Sequence, residues 1–180
     1  MSTLIAFGTI EGQTKKVARF VEDRLRKAGE EVGLFDTSDR LSEPSFEGVD
    51  KVILAASVHE RRHPKDFETF VFSYREDLAQ RATLLMSVSL KAAFEDGLDE
   101  AQDYVDEMEL RTQLKPDQQL LVAGAIRTES YDFYASQILR HVVLSGKTFD
   151  PQVRDFEFTD WEAVTAAVDA FLKAAPSAPA

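Results

Sequence analysis

Residues 4–14 read Leu4-Ile5-Ala6-Phe7-Gly8-Thr9-Ile10-Glu11-Gly12-Gln13-Thr14, and the reading of this stretch decides the fold. A strand is predicted over Thr3 to Phe7, whose apolar residues follow one another as in a strand covered on both faces. Val17, Val21, Leu25 and Ala28 then repeat at helical spacing, and Gly29 supplies the stop. The chain therefore turns sharply from strand to helix at 8–14. A dinucleotide fingerprint would need a third glycine, and a nucleotide-triphosphate loop would need a lysine after the last glycine. Neither is present. What the stretch offers is a turn of backbone N–H groups at a helix N-terminus, with Thr9 and Thr14 as hydroxyl donors. Such a turn holds a compact anion, best a phosphate monoester, through amides and helix dipole without an ammonium group. The alternative is a plain strand-to-helix turn with Thr9 or Thr14 capping the helix. Glu11 repels a phosphate unless its side chain turns outwards or into the loop's own amides.

Working outward, short strands are predicted over Glu31 to Phe35, Val49 to Ala56, Ala82 to Leu90 and Gln119 to Ile126. Helices are predicted from Pro64 through Phe67, Phe70, Val71 and Tyr74, then through Leu98, Ala101, Val105 and Met108, and again from Tyr131 to Leu144. Thr159-Asp160-Trp161-Glu162 reads as a capping box, with Thr159 as the cap, opening a last helix towards Ala175. The order β-α-β-β-α-β-α-β-α-α predicts an α/β three-layer sandwich around one parallel sheet. Ligands of such a sheet bind beyond the strands' C-terminal ends, where strand order reverses. One domain over 1–175 and a flexible tail at 176–180 are expected.

The 180 residues suffice for one well-cored domain. The net charge of -11 argues against nucleic acid as a partner. The acids concentrate in 95–109, EDGLDEAQDYVDEME, which holds eight acidic residues and no basic one. That run is read as the wet face of a helix, or as a surface that meets a partner or screens substrate. The absence of cysteine removes disulfides, thiolate chemistry and cysteine-held metals, and suits a cytoplasmic protein. No signal peptide or membrane span is expected.

Thr9-Ile10-Glu11-Gly12-Gln13-Thr14 resembles the phosphate loop of the flavodoxin family, which wraps the phosphate of FMN. An acid before the glycine and Gln-Thr after it look closest to the menaquinone-dependent protoporphyrinogen oxidase branch. The likeness continues in Ala55-Ala56-Ser57-Val58, Ser87-Val88-Ser89-Leu90, Val122-Ala123-Gly124-Ala125-Ile126-Arg127, Tyr131, Tyr134 and Thr159-Asp160-Trp161-Glu162. The resemblance implies a flavodoxin-like five-stranded parallel sheet of order 2-1-3-4-5, with an insertion after strand four at 91–117. It implies that Thr9, Ile10, Glu11, Gly12, Gln13 and Thr14 hold the FMN phosphate. Ser57, Val58 and His59 would line the flavin from the third loop, and Ser87, Val88, Ser89, Leu90 and Phe94 from the fourth. It further implies hydride transfer from a porphyrinogen to flavin N5, electrons passing to a quinone, and weak peripheral contact with the inner face of a membrane.

This chain departs from the branch in two respects. Glu60 and Arg61 stand where the branch has an aromatic residue and a glycine, and the insertion is acidic where the branch's is basic. Arg61, Arg62 and Lys65 offer a small compensating patch for an anionic substrate, with Arg127 and Arg140 as further contributors. His59 is the one polar ring group placed near N5, as catalytic residue, against a plain surface role. His63 reads as an anion-attracting group or a solvated helix start, and His141 as structural. No metal site is expected, because Arg61, Arg62 and Pro64 break up the His59/His63 pair. Trp161 reads as packing for the last helix. Two further readings stand beside the oxidase: a flavodoxin-like FMN electron carrier exchanging electrons with redox proteins, and a flavin-free interaction domain of the same fold.

Overall fold

The computed structural model describes residues 2–127 and 155–174. The predicted helix from Tyr131 to Leu144, with Asp132, Tyr134, Arg140 and His141, lies outside the described residues, as does the tail at 176–180. Chain order is β1 (Ser2–Gly8), α1 (Gln13–Lys27), β2 (Glu31–Asp36), β3 (Lys51–Ser57), α2 (Lys65–Ser73), α3 (Arg75–Ala79) and β4 (Ala82–Ser89). Two single 3-10 turns follow, then α4 (Leu98–Thr112), β5 (Gln118–Ala123), β6 (Ala125–Arg127), β7 (Asp155–Glu157) and α5 (Trp161–Lys173).

Strands β2-β1-β3-β4-β5 form one sheet in that order, every pair parallel, as the resemblance implies. Alternation along each strand divides the core into two layers. Ile5, Phe7, Ile53, Ala55, Leu84 and Met86 face Val17, Val21 and Leu25 of α1 and Val164, Val168 and Phe171 of α5. Leu4, Ala6, Val52, Leu54 and Leu85 face Phe67, Phe70 and Val71 of α2, Leu78 of α3, and Val105 and Met108 of α4. Both faces of the central strands are thus covered, which is why they read as unbroken apolar runs. Among the described residues no helix is long and apolar enough to cross a membrane.

Three boundaries differ from expectation. The predicted strand 119–126 is broken at Gly124: β5 stays in the main sheet, while β6 leaves it and pairs antiparallel with β7. Gly124 N–H donates to Ser89 O at 3.0 Å, and Gly124 O accepts from Phe158 N at 3.0 Å, so the break is hydrogen-bonded to both neighbours. The cap of α5 is Asp160 and not Thr159: Asp160 Oδ1 accepts from Glu162 N at 3.0 Å and Ala163 N at 2.9 Å. Thr159 is used elsewhere, as described below. The predicted helix over 64–74 gives way at Tyr74, and α3 continues it on a new axis.

One charged side chain lies inside the far end of the molecule. Lys51, at the start of β3, is fully buried, and its Nζ donates to Phe171 O, Leu172 O and Ala174 O at 2.7, 2.7 and 2.9 Å. The ammonium group satisfies the carbonyls left over where α5 ends. Burial pushes its pKa down, against the attraction of Glu30 and Asp50.

Candidate active site

Parallel pairing sets Gly8 beside Ala56, Ser57 beside Val88, and Ser89 beside Ala123, so the loops after β1, β3, β4 and β5 emerge along one edge. The direction of strand order reverses between β1 and β3. Helix α1 packs on one face of the sheet and α2 on the other, and ligands of such sheets bind where two such connections part.

The loop after β1 is built by its own residues. Gly12 occupies the left-handed region at φ 89°, which a side chain would resist, and its N–H donates to Thr9 Oγ1 at 2.9 Å. A hydroxyl oxygen that accepts in this way keeps its own proton to donate outwards. Gly12 is the N-cap of α1 and brings no side-chain cap, so the first amides of the helix remain without intrahelical partners. Thr14 Oγ1 is buried and has no hydrogen-bond partner. A buried hydroxyl left unsatisfied is costly, and at the first turn of a helix it points to an acceptor that belongs there. Thr14 therefore does not cap the helix.

Glu11 turns towards the third loop, with Oε1 3.9 Å from His59 Nδ1, and both side chains are between a third and two-fifths exposed. Ile10 is exposed at the tip. Gln13 is buried and faces away from solvent: its Nε2 donates to Thr159 Oγ1 at 2.9 Å, and Thr159 Oγ1 donates to Ala123 O at 2.7 Å. This relay fastens the loop to the end of β5 and to the approach to α5. Lys16 bonds to Glu157 of β7, which Trp161 Nε1 also meets at 2.8 Å. Burial raises the Glu157 pKa, but hydrogen bonds from Lys16, Trp161 and Gln13 outweigh it and hold the group low. Trp161 packs against Phe20, ring centres 4.7 Å apart, in keeping with a packing role.

The loop after β3 is built differently. Val58 N donates to Val88 O at 2.8 Å, prolonging the sheet by one bond. His59 and Arg62 then exchange backbone hydrogen bonds at 2.9 and 3.0 Å around a two-residue turn. Its central residues, Glu60 and Arg61, both have positive φ, 48° and 65°. This is the turn geometry that favours Asn-Gly, here made by two residues with full side chains. Ser57 Oγ is a second buried hydroxyl without a partner. His59 sits at the mouth, its Nε2 3.9 Å from Glu60 Oε1.

The basic patch expected at 61–65 is largely neutralised within the chain. Arg62 donates through Nε and Nη2 to Glu68 Oε2 at 3.0 and 2.6 Å, and Arg111 of α4 donates to Glu68 Oε1 at 3.0 and 2.8 Å. The Glu68 side chain is 6% exposed, so it is a buried carboxylate held by two guanidinium groups. Arg61 Nη1 donates to Glu100 Oε1 at 2.6 Å. His63 is neither a surface attractor nor a solvated helix start. It is 2% exposed, its Nε2 lies 3.0 Å from Ser87 Oγ, and burial pushes its pKa down from 6.5 to about 4. Just ahead of Pro64 and α2, the ring turns inward to Ser87 near the end of β4.

In the fourth loop, Ser87 is occupied with His63 and Val88 belongs to the core. Ser89 Oγ accepts from Ala92 N at 3.2 Å, and Leu90 opens a 3-10 turn at Lys91–Ala93. Phe94 is buried, with its ring 5.8 Å from that of Phe158, so it packs under the loop's outer side. Sequence reading missed Glu68, Arg111, Glu100 and Thr159 as parts of this region. The signal for Glu68 was available: it lies one turn before Val71 and beside Phe67, on the apolar face of α2.

The unpartnered hydroxyls of Thr14 and Ser57 and the helix start that lacks a side-chain cap fit FMN. Chain-wide similarity points the same way. The family model for the flavodoxin domain matches residues 4–151. Protoporphyrinogen IX dehydrogenase [quinone] of Escherichia coli K12 is 28% identical over 166 residues, 91% of each chain. Among solved structures, flavodoxin 1 of Bacillus cereus superposes with TM-score 0.52 at 19% identity, covering 78% of this chain and 99% of its own. Fusobacterium nucleatum flavodoxin bound to flavin mononucleotide superposes with TM-score 0.53 at 13% identity, covering 96% of this chain and 97% of its own. Strand order and sequence match together show that this chain belongs to the flavodoxin family.

Proposed function

We propose that this protein is an FMN-dependent oxidoreductase that takes hydride from a porphyrinogen and passes electrons to a quinone. The single observation that carries the flavin half is Thr14 Oγ1, buried and unpartnered at the first turn of α1. The similarity to the E. coli dehydrogenase over nine-tenths of both chains supports the substrate and acceptor.

When bound, FMN supplies a ring nitrogen that accepts hydride and returns electrons one or two at a time. The chain's residues do the rest. Thr14, Thr9 and the first amides of α1 hold the phosphate, opposing its charge with dipoles fixed in place. Ser57 presents its hydroxyl from the third loop, with Val58 and His59 beyond it along the flavin. His59, with Glu11 Oε1 3.9 Å from its Nδ1, is the group available to take or give a proton at a ring edge. Leu90 and the backbone of Ser87, Val88 and Ser89 form the opposite wall, above Phe94.

The test is anaerobic. Protein titrated to saturation with FMN is mixed with protoporphyrinogen IX and a water-soluble quinone, and porphyrin fluorescence is followed against a flavin-only control. Porphyrin formation that needs protein, flavin and quinone together is the expected result. Failure to bind FMN overturns the flavin reading, and FMN binding without porphyrin formation overturns the substrate.

A second reading, an FMN electron carrier, is favoured by the exposed acids of α4, Asp99, Asp103, Asp106 and Glu107, which suit a basic redox protein. Reduced protein that donates rapidly to such a partner at low salt, and leaves porphyrinogen untouched, decides for it.

A further inference from the structure

Two carboxylates join the third loop to the segment after β4, and they differ in kind. Glu68 is buried and receives four N–H groups from Arg62 and Arg111. That junction fixes the third loop against α4, because a buried carboxylate stripped of either arginine would be left uncompensated. Glu100 is partly exposed. Arg61 Nη1, Lys91 Nζ and Tyr104 OH converge on it, each at 2.6 Å, from the third loop, the 3-10 turn and α4. The hydrogen bond from Lys91 leads in holding its carboxyl below the usual range, with Tyr104 second. Arg61 also lies over the Tyr104 ring, 5.4 Å from its centre.

Fastening is not what Glu100 adds. The buried junction already does that, and exposed ion pairs contribute little in water. What the cluster does supply is a shaped seat: a guanidinium, an ammonium and a phenol directed at one point. Side-chain exposures of 58% for Arg61, 47% for Lys91 and 30% for Glu100 leave the charged side of that point open to solvent, while Tyr104 is buried. Its backbone is held firmly. A side chain at Gly97 would meet Lys91 O at 2.4 Å, so only glycine lets the start of α4 press against Lys91. The seat also lies beside the switch-point loops. Arg61 shares its four-residue turn with His59, which reaches Glu11 of the first loop, and Lys91 follows two residues after β4 ends.

We propose that Glu100 is a placeholder on a carboxylate seat made by Arg61, Lys91 and Tyr104, and that a carboxylate of the ring-bearing substrate displaces it. The proposal rests on the function proposed above and specifies how an acidic protein receives an anionic ligand. One carboxylate leaves the two cations as another arrives, so the ligand's charge is met without a standing positive patch. The displaced Glu100 side chain turns into water at little cost.

The probes are protoporphyrin IX, which carries two carboxylates, and its dimethyl ester, which carries none. Binding of each is read by fluorescence titration, with FMN binding and circular dichroism measured in parallel. Glu100→Gln is expected to tighten the diacid about tenfold and leave the ester unchanged. Lys91→Met in the otherwise natural chain is expected to weaken the diacid severalfold and again spare the ester. An unchanged or weaker diacid affinity in Glu100→Gln, or an equal change for the ester, overturns the seat. If Glu100→Gln fails to fold, Lys91→Met decides alone: a loss confined to the diacid supports the seat, and any other result overturns it. Absence of FMN binding in the natural chain would instead strike the function proposed above, and the diacid/ester comparison would still be read.

Discussion

The first and third loops meet across the switch point, yet they hold their shapes by opposite means. The first puts glycine where φ must be positive, at Gly12, and closes on itself through Thr9. The third puts Glu60 and Arg61 in the left-handed region, where each residue with a Cβ costs about 1–2 kcal/mol. It is kept there by its surroundings: Val58 on β4, Arg62 on the buried Glu68, and His63 under Ser87. The first loop is therefore a local structure that a short sequence specifies. The third is imposed by tertiary contacts, and altering those contacts should reach the site.

The largest effect expected from this contrast comes from His63, the inner anchor of the third loop. Its folded pKa of about 4 lies below the ordinary 6.5, so the unfolded chain takes up the proton first. Its contribution is whole above about pH 6.5 and is lost as pH falls towards 4, a difference of roughly 3 kcal/mol. Urea midpoints between pH 7 and 5 should fall steadily. They should stay nearly level in His63→Gln. A natural protein whose midpoint holds constant across that window would show that the anchor is not the buried neutral ring.

The first loop is tested by Thr14→Val, which keeps shape and removes the hydroxyl. A hydrogen bond to a charged partner contributes about 1.5–3 kcal/mol, so FMN affinity should drop roughly ten- to a hundredfold. Riboflavin, which lacks the phosphate, should bind both proteins alike. Equal losses for the two ligands would move the phosphate away from Thr14.

The smallest effect concerns the two turns themselves. Glu60→Asn with Arg61→Gly installs the pair that this turn geometry favours, and should stabilise the fold by about 1 kcal/mol after loss of the exposed Arg61 contact. Gly12→Ala should destabilise by about the same amount, through strain at φ 89°. Opposite signs in chemical denaturation sharpen the contrast between the loops. Like signs break it.

The same contrast explains what could be read from sequence. The apolar run before Gly8, the two glycines and the helix-spaced valines behind Thr14 are local signals, and they located the first loop; the strand order came with the family resemblance. Nothing local in His59-Glu60-Arg61-Arg62 marks a tight turn, because neither central residue prefers the left-handed region. His63 sits in a basic, polar string, and only the inward course of the chain after Pro64 buries it. Thr159 has the spacing of a capping residue, but a partner distant in sequence, Gln13, claims its hydroxyl and Asp160 caps instead. The break at Gly124 was hidden because the apolar run Leu120-Leu121-Val122-Ala123 continues past it in Ala125-Ile126, and only the strand each part pairs with differs.

The relay from Gln13 through Thr159 to Ala123 has a consequence for how the protein is made. Thr159 is translated 146 positions after Gln13. A nascent chain thus displays its first loop early, with the Gln13 amide waiting for a hydroxyl that the ribosome has yet to supply. Cofactor capture is thereby tied to the synthesis of Thr159: a chain stalled or cut before it offers flavin a loop without its backing.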